Sequence, residues 1–258
     1  MISSPHNPKL KLIRALQGRA KERRETGAFL AEGVRLVEEA VTSNWSMRFV
    51  LFDDTLNGRG RSQVESLRSR GVDVEEVSTS LMKSLSETES PQGILAVLEL
   101  TQLPIPNSPT FILIPDQIRD PGNLGTLLRT AAAAGVQAVL LPPETTDAFA
   151  PKVVRSGMGA HFRLPIHSMT WEEIKRFCES ANQRVYLADM DGQSCWEMDL
   201  RQPLALIIGN EAEGASESAK QLANQIISVP MTGMIESLNA GVAGSVLMFE
   251  VVRQRRSV

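Results

Sequence analysis

Beyond residue 110 the chain alternates short apolar runs with segments of helical pattern, and this alternation limits the possible folds more than any other feature. The apolar runs have the length and the Val, Ile and Leu content of buried strands. Gly135 is placed to end the first intervening helix in a left-handed conformation. Buried strands that alternate with helices predict an α/β fold, in which helices cover both faces of a parallel sheet. The predicted strands are 111–116, 137–143, 184–189, 203–209 and 226–229, and the predicted helices are 123–135, 171–180, one after Ser216 and one from Asn239 onward.

A proline-rich segment at residues 101–110 divides the chain. Its three prolines remove backbone donors and fix φ, which disfavours a helix or a central strand. We interpret it as a linker between an N-terminal domain of residues 1–100 and a C-terminal domain of residues 111–258. The short strands and helices before the linker predict a smaller α/β domain. A helix over residues 8–25 is predicted to open that domain, because four apolar residues recur there at spacings of three or four: Leu10, Ile13, Leu16 and Ala20.

Positive charge is concentrated at the start of the chain. The whole sequence has 27 basic and 30 acidic side chains and a net charge of -3, so its total charge indicates no polyanionic partner. The first 35 residues, however, hold eight basic and three acidic side chains. Such a run can be an ordinary solvated helix face or a surface that contacts phosphates. The candidates for phosphate contact are Lys9, Lys11, Arg14, Arg19, Lys21, Arg23 and Arg24.

Several classes of function lack the residues they need. Two cysteines, Cys178 and Cys195, form neither a zinc motif nor a disulfide framework, which favours a reducing compartment. The chain has no long apolar run and no apolar segment at its start, so we expect a cytoplasmic protein without a membrane span. The three histidines lack the HExxH spacing, and no phosphate-binding loop, dinucleotide fingerprint or GxSxG turn is present. We therefore expect no metal site.

Three loops that follow predicted strands carry the candidate site. In a parallel sheet, ligands bind beyond the carboxyl ends of the strands. The purely structural interpretation is that Asn123 and Asn239 cap helices, that Gly209 and Gly214 form turns, and that Glu211 complements a helix dipole. Together, however, three loops rich in small and amide-bearing residues indicate backbone that lies close around one ligand. The residues in question are Asp116 and Asn123 in the first loop, Gly209, Asn210, Glu211, Glu213 and Gly214 in the second, and Met231, Ser237, Leu238 and Asn239 in the third.

These loops resemble a known family. The segments DQIRDPGNLGTLLRTAAAAGV, LALIIGNEAEGAS and VPMTGMIESLNAGVAGSVLMFEVVRQ resemble, in order and spacing, motifs one to three of the SpoU/TrmH family of RNA ribose 2′-O-methyltransferases. Residues 7–40 resemble that family's N-terminal substrate-binding domain, which has a ribosomal-protein-like fold. The resemblance implies a SPOUT domain with a deep trefoil knot. It also implies S-adenosylmethionine as methyl donor and a homodimer with the active site near the subunit interface.

The resemblance also implies roles for individual residues. Two positions depart from the usual family pattern: Ala212 replaces a common glycine, and Ala240-Gly241 replaces a common Val-Ser. The matching catalytic positions are Asn123, Arg129, Glu211, Ser237 and Asn239. Those that match or neighbour methyl-donor contacts are Leu187, Ala188, Ile208, Gly209, Val229, Met231 and Leu238.

The expected reaction is methyl transfer to a ribose hydroxyl in structured RNA, with ribosomal RNA as the first candidate substrate and transfer RNA as the second. Glu211, a water that it holds, or Arg129 could accept the hydroxyl proton, but a guanidinium is almost always protonated and is therefore a poor base. Because of the two departures, a non-catalytic RNA-binding or ribosome-assembly protein on the same fold remains an alternative.

Overall fold

A computed structural model describes residue 2, residue 4 and residues 6–210, 214–233 and 237–256. The helices are α1 (Pro8–Gly18), α2 (Ala20–Thr26), α3 (Val34–Thr42), α4 (Gly58–Ser69), α5 (Thr79–Leu85), α6 (Pro121–Ala134), α7 (Pro151–Gly157), α8 (Trp171–Ser180), α9 (Glu217–Leu222) and α10 (Ala240–Arg256). The strands are β1 (Ala28–Glu32), β2 (Met47–Phe52), β3 (Val74–Glu76), β4 (Ile94–Glu99), β5 (Phe111–Pro115), β6 (Ala138–Leu141), β7 (Ile166–Ser168), β8 (Arg184–Ser194), β9 (Leu204–Ile208) and β10 (Gln225–Ser228).

The chain forms two compact units. The first runs from the amino terminus to Thr101 and also includes Phe149–Phe162, and the second comprises Gln102–Ala148 and the chain from Arg163 onward. In the described part of the first unit, a four-stranded sheet has the order β1-β4-β2-β3. Strand β4 is antiparallel to β1 and β2, and β3 is parallel to β2. This unit is the smaller α/β domain that the sequence predicts.

The predicted helix over residues 8–25 is two helices. Arg19 has an extended backbone, with φ −110° and ψ 139°, and separates α1 from α2. The buried Arg23 side chain donates a hydrogen bond from Nη1 to the carbonyl oxygen of Leu16, in the last turn of α1. An internal hydrogen bond thus compensates for the break in the helix. The apolar face of α1 is buried as predicted, through Leu10, Ile13 and Leu16.

Residues 149–162 correct the expected division of the chain, which placed them in the C-terminal domain. Phe149 and Phe162 lie against Phe29 of β1, with ring centroids 5.1 and 6.3 Å apart, and Phe162 lies 5.3 Å from Trp45. Arg155 of α7 also forms an ion pair with Glu32 at 3.4 Å. Residues 149–162 belong to the first unit because their aromatic side chains complete the apolar core of that unit.

The second unit contains the predicted parallel sheet. Over the described ranges its order is β10-β8-β9-β5-β6-β7, and every neighbouring pair is parallel. Gly135 ends α6 in the left-handed conformation, with φ 74°, as predicted. The strands β5 and β9 are buried along their whole length, as expected for a sheet with both faces covered.

Strand β8 continues beyond its predicted end and folds over β10. Its register with β10 shifts between Ile226 and Ile227, where the partner changes from Leu187 to Gln193. A Cβ atom on Gly192 would lie 2.6 Å from the carbonyl carbon of Ile227, so backbone packs directly on backbone there. Ser228 Oγ also donates to the carbonyl oxygen of Gly192 at 2.8 Å. The turn after Ala188 is therefore fixed tightly to β10.

The proline-rich segment lies with the second unit from Gln102 onward and is held by side chains of that unit. His167 Nε2 lies 2.8 Å from the carbonyl oxygen of Leu103, and Gln183 Nε2 donates to that of Pro109 at 2.6 Å. Arg255 of α10 donates to the carbonyl oxygen of Thr110 at 2.8 Å. Three carbonyl oxygens of this segment thus find hydrogen-bond partners although the segment has no secondary structure. In the described residues, no helix is both long and apolar enough to cross a membrane.

Candidate functional site

A cavity lies at the carboxyl ends of β8, β9 and β10 in the second unit. Its volume is ≈ 180 Å³, and the first turns of α10 close one side of it. This is the edge of a parallel sheet where ligands generally bind. Its described lining consists of Ala188, Asp189, Met190, Ile208, Gly209, Asn210, Gly214, Ala215, Ile227, Ser228, Val229, Met231, Ser237, Leu238, Ala240, Ala243 and Leu247.

The structure brings most of the predicted donor-contact residues together. Gly209, from the loop after β9, and Val229 and Leu238, from the two ends of the loop between β10 and α10, line this one cavity. Ala188, Ile208 and Met231 line it as well. Leu187 does not, because its side chain is 2% exposed and belongs to the apolar core beneath the cavity. Alternation along β8 explains the difference, since Leu187 and Ala188 point to opposite faces of the strand.

Gly209 is placed where the backbone of its own loop returns. A Cβ atom there would lie 3.0 Å from the backbone nitrogen of Ala215. Asn210 and Gly214 exchange backbone hydrogen bonds of 3.1 Å, and Asn210 Nδ2 donates to the carbonyl oxygen of Gln117 at 2.9 Å. The loop is therefore closed on itself and tied to the end of β5. Glu211 and Ala212, at the tip of this loop, lie outside the described residues.

Asn123 and Asn239 come together from two helices. Asn239 Nδ2 donates to Asn123 Oδ1 at 3.0 Å. Asn123 is not the cap of α6, because Asp120 occupies that position and accepts a hydrogen bond from the backbone of Asn123 at 2.8 Å. Asn239 does cap α10, since its Oδ1 accepts from the backbone nitrogen of Val242 at 3.2 Å. Asn239 thus caps a helix, as in the simpler interpretation of the sequence, and also contacts a second candidate site residue.

The remaining predicted catalytic residues differ in their surroundings. Ser237 lines the cavity beside Leu238 and is exposed. Arg129 is also exposed, two turns into α6, and forms no hydrogen bond or ion pair with the described residues. Its guanidinium is available to an anionic group from outside the protein.

Asp116 supports the site from behind. It follows β5, is fully buried, and accepts a hydrogen bond on Oδ2 from the backbone nitrogen of Ser216 at 2.7 Å. Its backbone nitrogen donates to the carbonyl oxygen of Ile208 at 2.8 Å. Burial raises the pKa of this carboxyl and the charge of Glu144 raises it further, whereas the hydrogen bonds from Ser216 lower it. Asp116 therefore ties together the two ends of the loop that contains Gly209.

Sequence reasoning missed several residues of the cavity wall. Ser228 belongs to β10, and Ala243 and Leu247 lie one turn apart on α10. Their helical spacing is visible in the sequence, but it does not reveal that this face borders a cavity instead of the core. The sequence predicts that a strand ends at Asp189, whereas β8 continues to Ser194. The other missed residues are Met190, Ala215, Ile227 and Ala240.

The predicted phosphate-contacting residues lie on α1, on α2 and at Arg19 between them. Among them Lys9, Lys21 and Arg23 already interact within this unit, and Lys21 lies 3.6 Å from Glu25. Lys9 pairs with Asp73 and Glu75. Arg23 is 3% exposed and bonded to α1, so it is corrected from a surface residue to a core residue. The break at Arg19 explains this, because it turns α2 so that the Arg23 side chain reaches the carbonyl oxygen of Leu16 at the end of α1. The exposed ones are Lys11, Arg14, Arg19, Lys21 and Arg24.

No group of three or more His, Cys, Asp or Glu side chains within the described ranges is arranged to hold a metal ion. Metal coordination needs several such donors at one point.

Comparison with known proteins identifies the family. The SpoU rRNA Methylase family matches residues 110–249, and the MRM3-like substrate binding domain matches residues 7–96. The 23S rRNA (guanosine(2553)-2'-O)-methyltransferase RlmP of Bacillus subtilis (strain 168) is 34% identical over 251 residues, which cover 97% of this chain and 98% of that protein. The 23S rRNA (uridine(2479)-2'-O)-methyltransferase of Streptomyces viridochromogenes is 31% identical over 269 residues, covering 97% of this chain and 91% of that protein.

A solved structure agrees with these matches. The crystal structure of the SpoU methyltransferase AviRb from Streptomyces viridochromogenes, in complex with the cofactor AdoMet, has a TM-score of 0.85 to this chain at 29% identity. The alignment covers 98% of this chain and 100% of that one. The resemblance carried by the three motifs is thus confirmed, and the chain belongs to the SpoU rRNA methylase family.

Proposed function

We propose that this protein transfers the methyl group of S-adenosylmethionine to a ribose 2′-hydroxyl of ribosomal RNA. The observation that carries the proposal is that the loops of motifs two and three meet at one cavity, and that Asn239 at the end of the motif-three loop is paired with Asn123 of motif one. Relatives that act on two different 23S rRNA nucleotides support ribosomal RNA as the substrate class. Because these two relatives act on different nucleotides, they do not indicate which nucleotide this protein would modify.

The cavity fits a methyl donor of this kind. Ile208, Ile227 and Leu247 give it an apolar interior suited to an adenine ring. At Gly209 a Cβ atom would meet the backbone nitrogen of Ala215 at 3.0 Å, so a glycine is what lets this loop close tightly beside the cavity. We assign donor contacts to the predicted residues that line the cavity, namely Ala188, Ile208, Gly209, Val229, Met231 and Leu238. Leu187 would act indirectly, by supporting the strand that carries Ala188.

The reaction follows from positioning and charge. The bound donor supplies a methyl carbon attached to a positively charged sulfur. The ribose oxygen must approach that carbon opposite the sulfur, so most of the acceleration comes from orientation. The oxygen–carbon bond forms as the carbon–sulfur bond breaks, and the hydroxyl proton passes to Glu211 or to a water that Glu211 holds. Asn123, Ser237 and Asn239 orient the ribose by hydrogen bonds.

Arg129 has an electrostatic role in this proposal. Its guanidinium stays protonated, so it binds the neighbouring phosphate and stabilises negative charge on the attacking oxygen instead of accepting the proton. For Arg129→Ala we therefore expect the rate of methyl transfer to fall on the order of a hundredfold, while S-adenosylmethionine binds with its normal affinity.

RNA would be held by the first unit as well as by the site. The five exposed basic residues of α1, α2 and the junction between them are Lys11, Arg14, Arg19, Lys21 and Arg24. Contacts with phosphates release counterions, so neutralising these residues should flatten the dependence of RNA affinity on salt. Neutralising Lys175, Arg176 and Lys220 of the second unit, which are also exposed, provides a control that should leave the slope unchanged.

A homodimer is part of the proposal. Val242 and Phe249, seven residues apart on α10, are 47% and 50% exposed, so one face of this helix presents apolar side chains to its surroundings. Apolar patches of this kind are typical of subunit interfaces. We also propose that the trefoil knot of the family is present and that the protein acts in the cytoplasm, where the free thiols of Cys178 and Cys195 would remain reduced.

The decisive experiment is incubation of the protein with labelled S-adenosylmethionine and total RNA, followed by mapping of ribose methylation at single-nucleotide resolution. We expect one methylated position in ribosomal RNA. Label found in transfer RNA instead would mean that transfer RNA, and not ribosomal RNA, is the substrate. The alternative is a non-catalytic RNA-binding or ribosome-assembly protein, which the two departures at Ala212 and Ala240-Gly241 leave open. Calorimetry with S-adenosylmethionine separates it from the enzyme, because only the enzyme needs the donor.

A further inference from the structure

One residue of the cavity wall carries a charge that the proposed function has not used. Among the described residues that line the cavity, Asp189 is the only one with an ionisable side chain. The rest of this lining is apolar or, as with Asn210, Ser228 and Ser237, polar and neutral. Where the rest of the described wall is neutral, one carboxylate strongly favours a ligand that places a positive charge beside it.

Asp189 lies at the rim of the cavity. It is partly exposed, and its neighbour Met190 is 62% exposed. The interior is formed instead by fully buried side chains such as Ile208 and Ile227. A ligand with an apolar ring and a charged tail would therefore place its ring inside and its tail near Asp189.

The Asp189 side chain is held in place before any ligand binds. Its Oδ1 accepts a hydrogen bond from the backbone nitrogen of Asp191 at 3.2 Å, which closes a local turn. That turn is fixed to β10 by the backbone contact of Gly192 with Ile227. Asp189 forms no ion pair with any residue in the described ranges. Its negative charge is therefore oriented but has no cationic partner there.

Charge decides which group of the methyl donor Asp189 recognises. Hydroxyl groups can be satisfied by neutral acceptors, such as backbone carbonyls or the Ser228 hydroxyl, whereas a partly desolvated ammonium needs an anion. We propose that the Asp189 carboxylate forms an ion pair with the α-ammonium group of S-adenosylmethionine and so selects amino-acid-bearing adenosyl ligands. This assignment rests on the proposed function, since it names the ligand of the same cavity.

The test compares Asp189→Asn with Asp191→Asn. Asparagine at 189 can still accept the hydrogen bond from residue 191, so the turn is kept while the charge is lost. Asp191 is an exposed neighbour that does not line the cavity, and its replacement makes the same change in total charge. Calorimetry is performed on the full chain with S-adenosylmethionine, S-adenosylhomocysteine and 5′-methylthioadenosine, the last of which has the adenosine but no amino-acid tail.

We expect Asp189→Asn to weaken binding of S-adenosylmethionine and S-adenosylhomocysteine about tenfold each and to leave 5′-methylthioadenosine unaffected. KM for the donor should rise by a similar factor at nearly constant kcat, because the lost contact is made equally before and during the reaction. Asp191→Asn should bind all three ligands as the unaltered protein does.

Three results would overturn the assignment. Equal weakening of all three ligands would place the contact at the ribose, and weakening of S-adenosylmethionine alone would place it at the sulfonium. Unchanged binding by Asp189→Asn, or the same loss in Asp191→Asn, would show that Asp189 has no specific role in binding the donor. If the unaltered protein binds neither S-adenosylmethionine nor S-adenosylhomocysteine, the proposed function itself fails, and that outcome is distinct from the other three.

Discussion

At the scale of single residues, Asn239 shows how one side chain can serve both the fold and the site. Its amide oxygen caps α10 and its amide nitrogen donates to Asn123. A carboxylate could replace the first function, because it accepts hydrogen bonds and suits a helix amino terminus. It could not replace the second, because it has no hydrogen to donate.

This difference separates stability from activity. For Asn239→Asp we expect a free energy of unfolding within about 0.5 kcal/mol of the original, but a rate of methyl transfer lower on the order of a hundredfold. Asn239→Ala should lose the cap as well and destabilise the protein by about 1 kcal/mol. Urea unfolding and initial rates measure the two effects. Full activity in Asn239→Asp would show that the amide nitrogen is dispensable.

The buried carboxyl of Asp116 should appear in the dependence of stability on pH. Burial raises its pKa in the folded state above the unfolded value, so the folded protein binds more protons at this group. Its stabilising contribution is complete below the unfolded pKa and is lost as the pH rises through the folded pKa. The side chain in Asp116→Asn has no ionisable group, so this variant lacks the pH-dependent contribution.

The stability of Asp116→Asn relative to the original protein should therefore increase from about pH 4 to about pH 7. Urea unfolding at a series of pH values provides the measurement, and Asp120→Asn, which changes an exposed carboxyl, serves as a comparison. A stability difference that is constant across this range would mean that Asp116 has an ordinary pKa.

What the sequence reveals about single residues depends on where they lie relative to a strand end. The loops that carry Gly209 and Leu238 could be assigned to one ligand because loops at the carboxyl ends of parallel strands meet at one edge of the sheet. The individual positions Gly209, Val229 and Leu238 were implied by the resemblance to the family, and all three line the cavity. The burial of Arg23 could not be predicted, because its charge suggested the surface and the break at Arg19 that brings it to the end of α1 was not foreseen. No sequence pattern indicates that a charged side chain will find a helix-end carbonyl.

At the scale of elements, most segments beyond residue 110 could be predicted, including the short β10 and α9, but α7 and β7 could not. Helix α8 has the predicted bounds of 171–180, and Thr170 and Glu173 form a capping box at its start. Helix α7 and strand β7 have only seven and three residues, too few to show a period. The break at Arg19 was missed because α1 and α2 share one apolar stripe across it.

The contact between β8 and β10 predicts a strongly position-dependent cost of adding one methyl group. In Gly192→Ala the new Cβ would meet backbone atoms of β10 at 2.6–2.7 Å, and backbone cannot move aside as a flexible side chain can. We expect destabilisation by about 3 kcal/mol. Gly233→Ala adds the same group where nothing lies within 4 Å and should be nearly neutral. Equal stability of the two variants, measured by denaturant unfolding, would contradict the close packing.

At the scale of the whole molecule, the membership of residues 149–162 in the first unit could not be predicted. Sequence order placed them between β6 and β7, and a proline-rich segment suggested one boundary. The contacts of Phe149 and Phe162 with Phe29 and Trp45 are made over more than a hundred residues of sequence. Local periodicity carries no information about such distant partners.

A fragment of residues 102–258 should therefore be defective even though it contains the complete parallel sheet. Without Phe29 and Trp45, the aromatic residues of 149–162 lose their apolar partners and should become accessible. Limited proteolysis should cleave the fragment within 149–162 at concentrations of protease that leave the full chain intact there. The fragment should also bind a hydrophobic dye more strongly. Equal resistance at this segment would contradict its assignment to the first unit.

The return of residues 149–162 to the first unit has a consequence for protein synthesis. The aromatic core around Phe29 cannot be completed when Thr101 has been added, because Phe149 and Phe162 have not yet been translated. Folding on the ribosome therefore cannot proceed strictly from one domain to the next. The nascent amino-terminal unit must wait, partly unfinished, until the first strands of the following sheet have emerged from the exit tunnel.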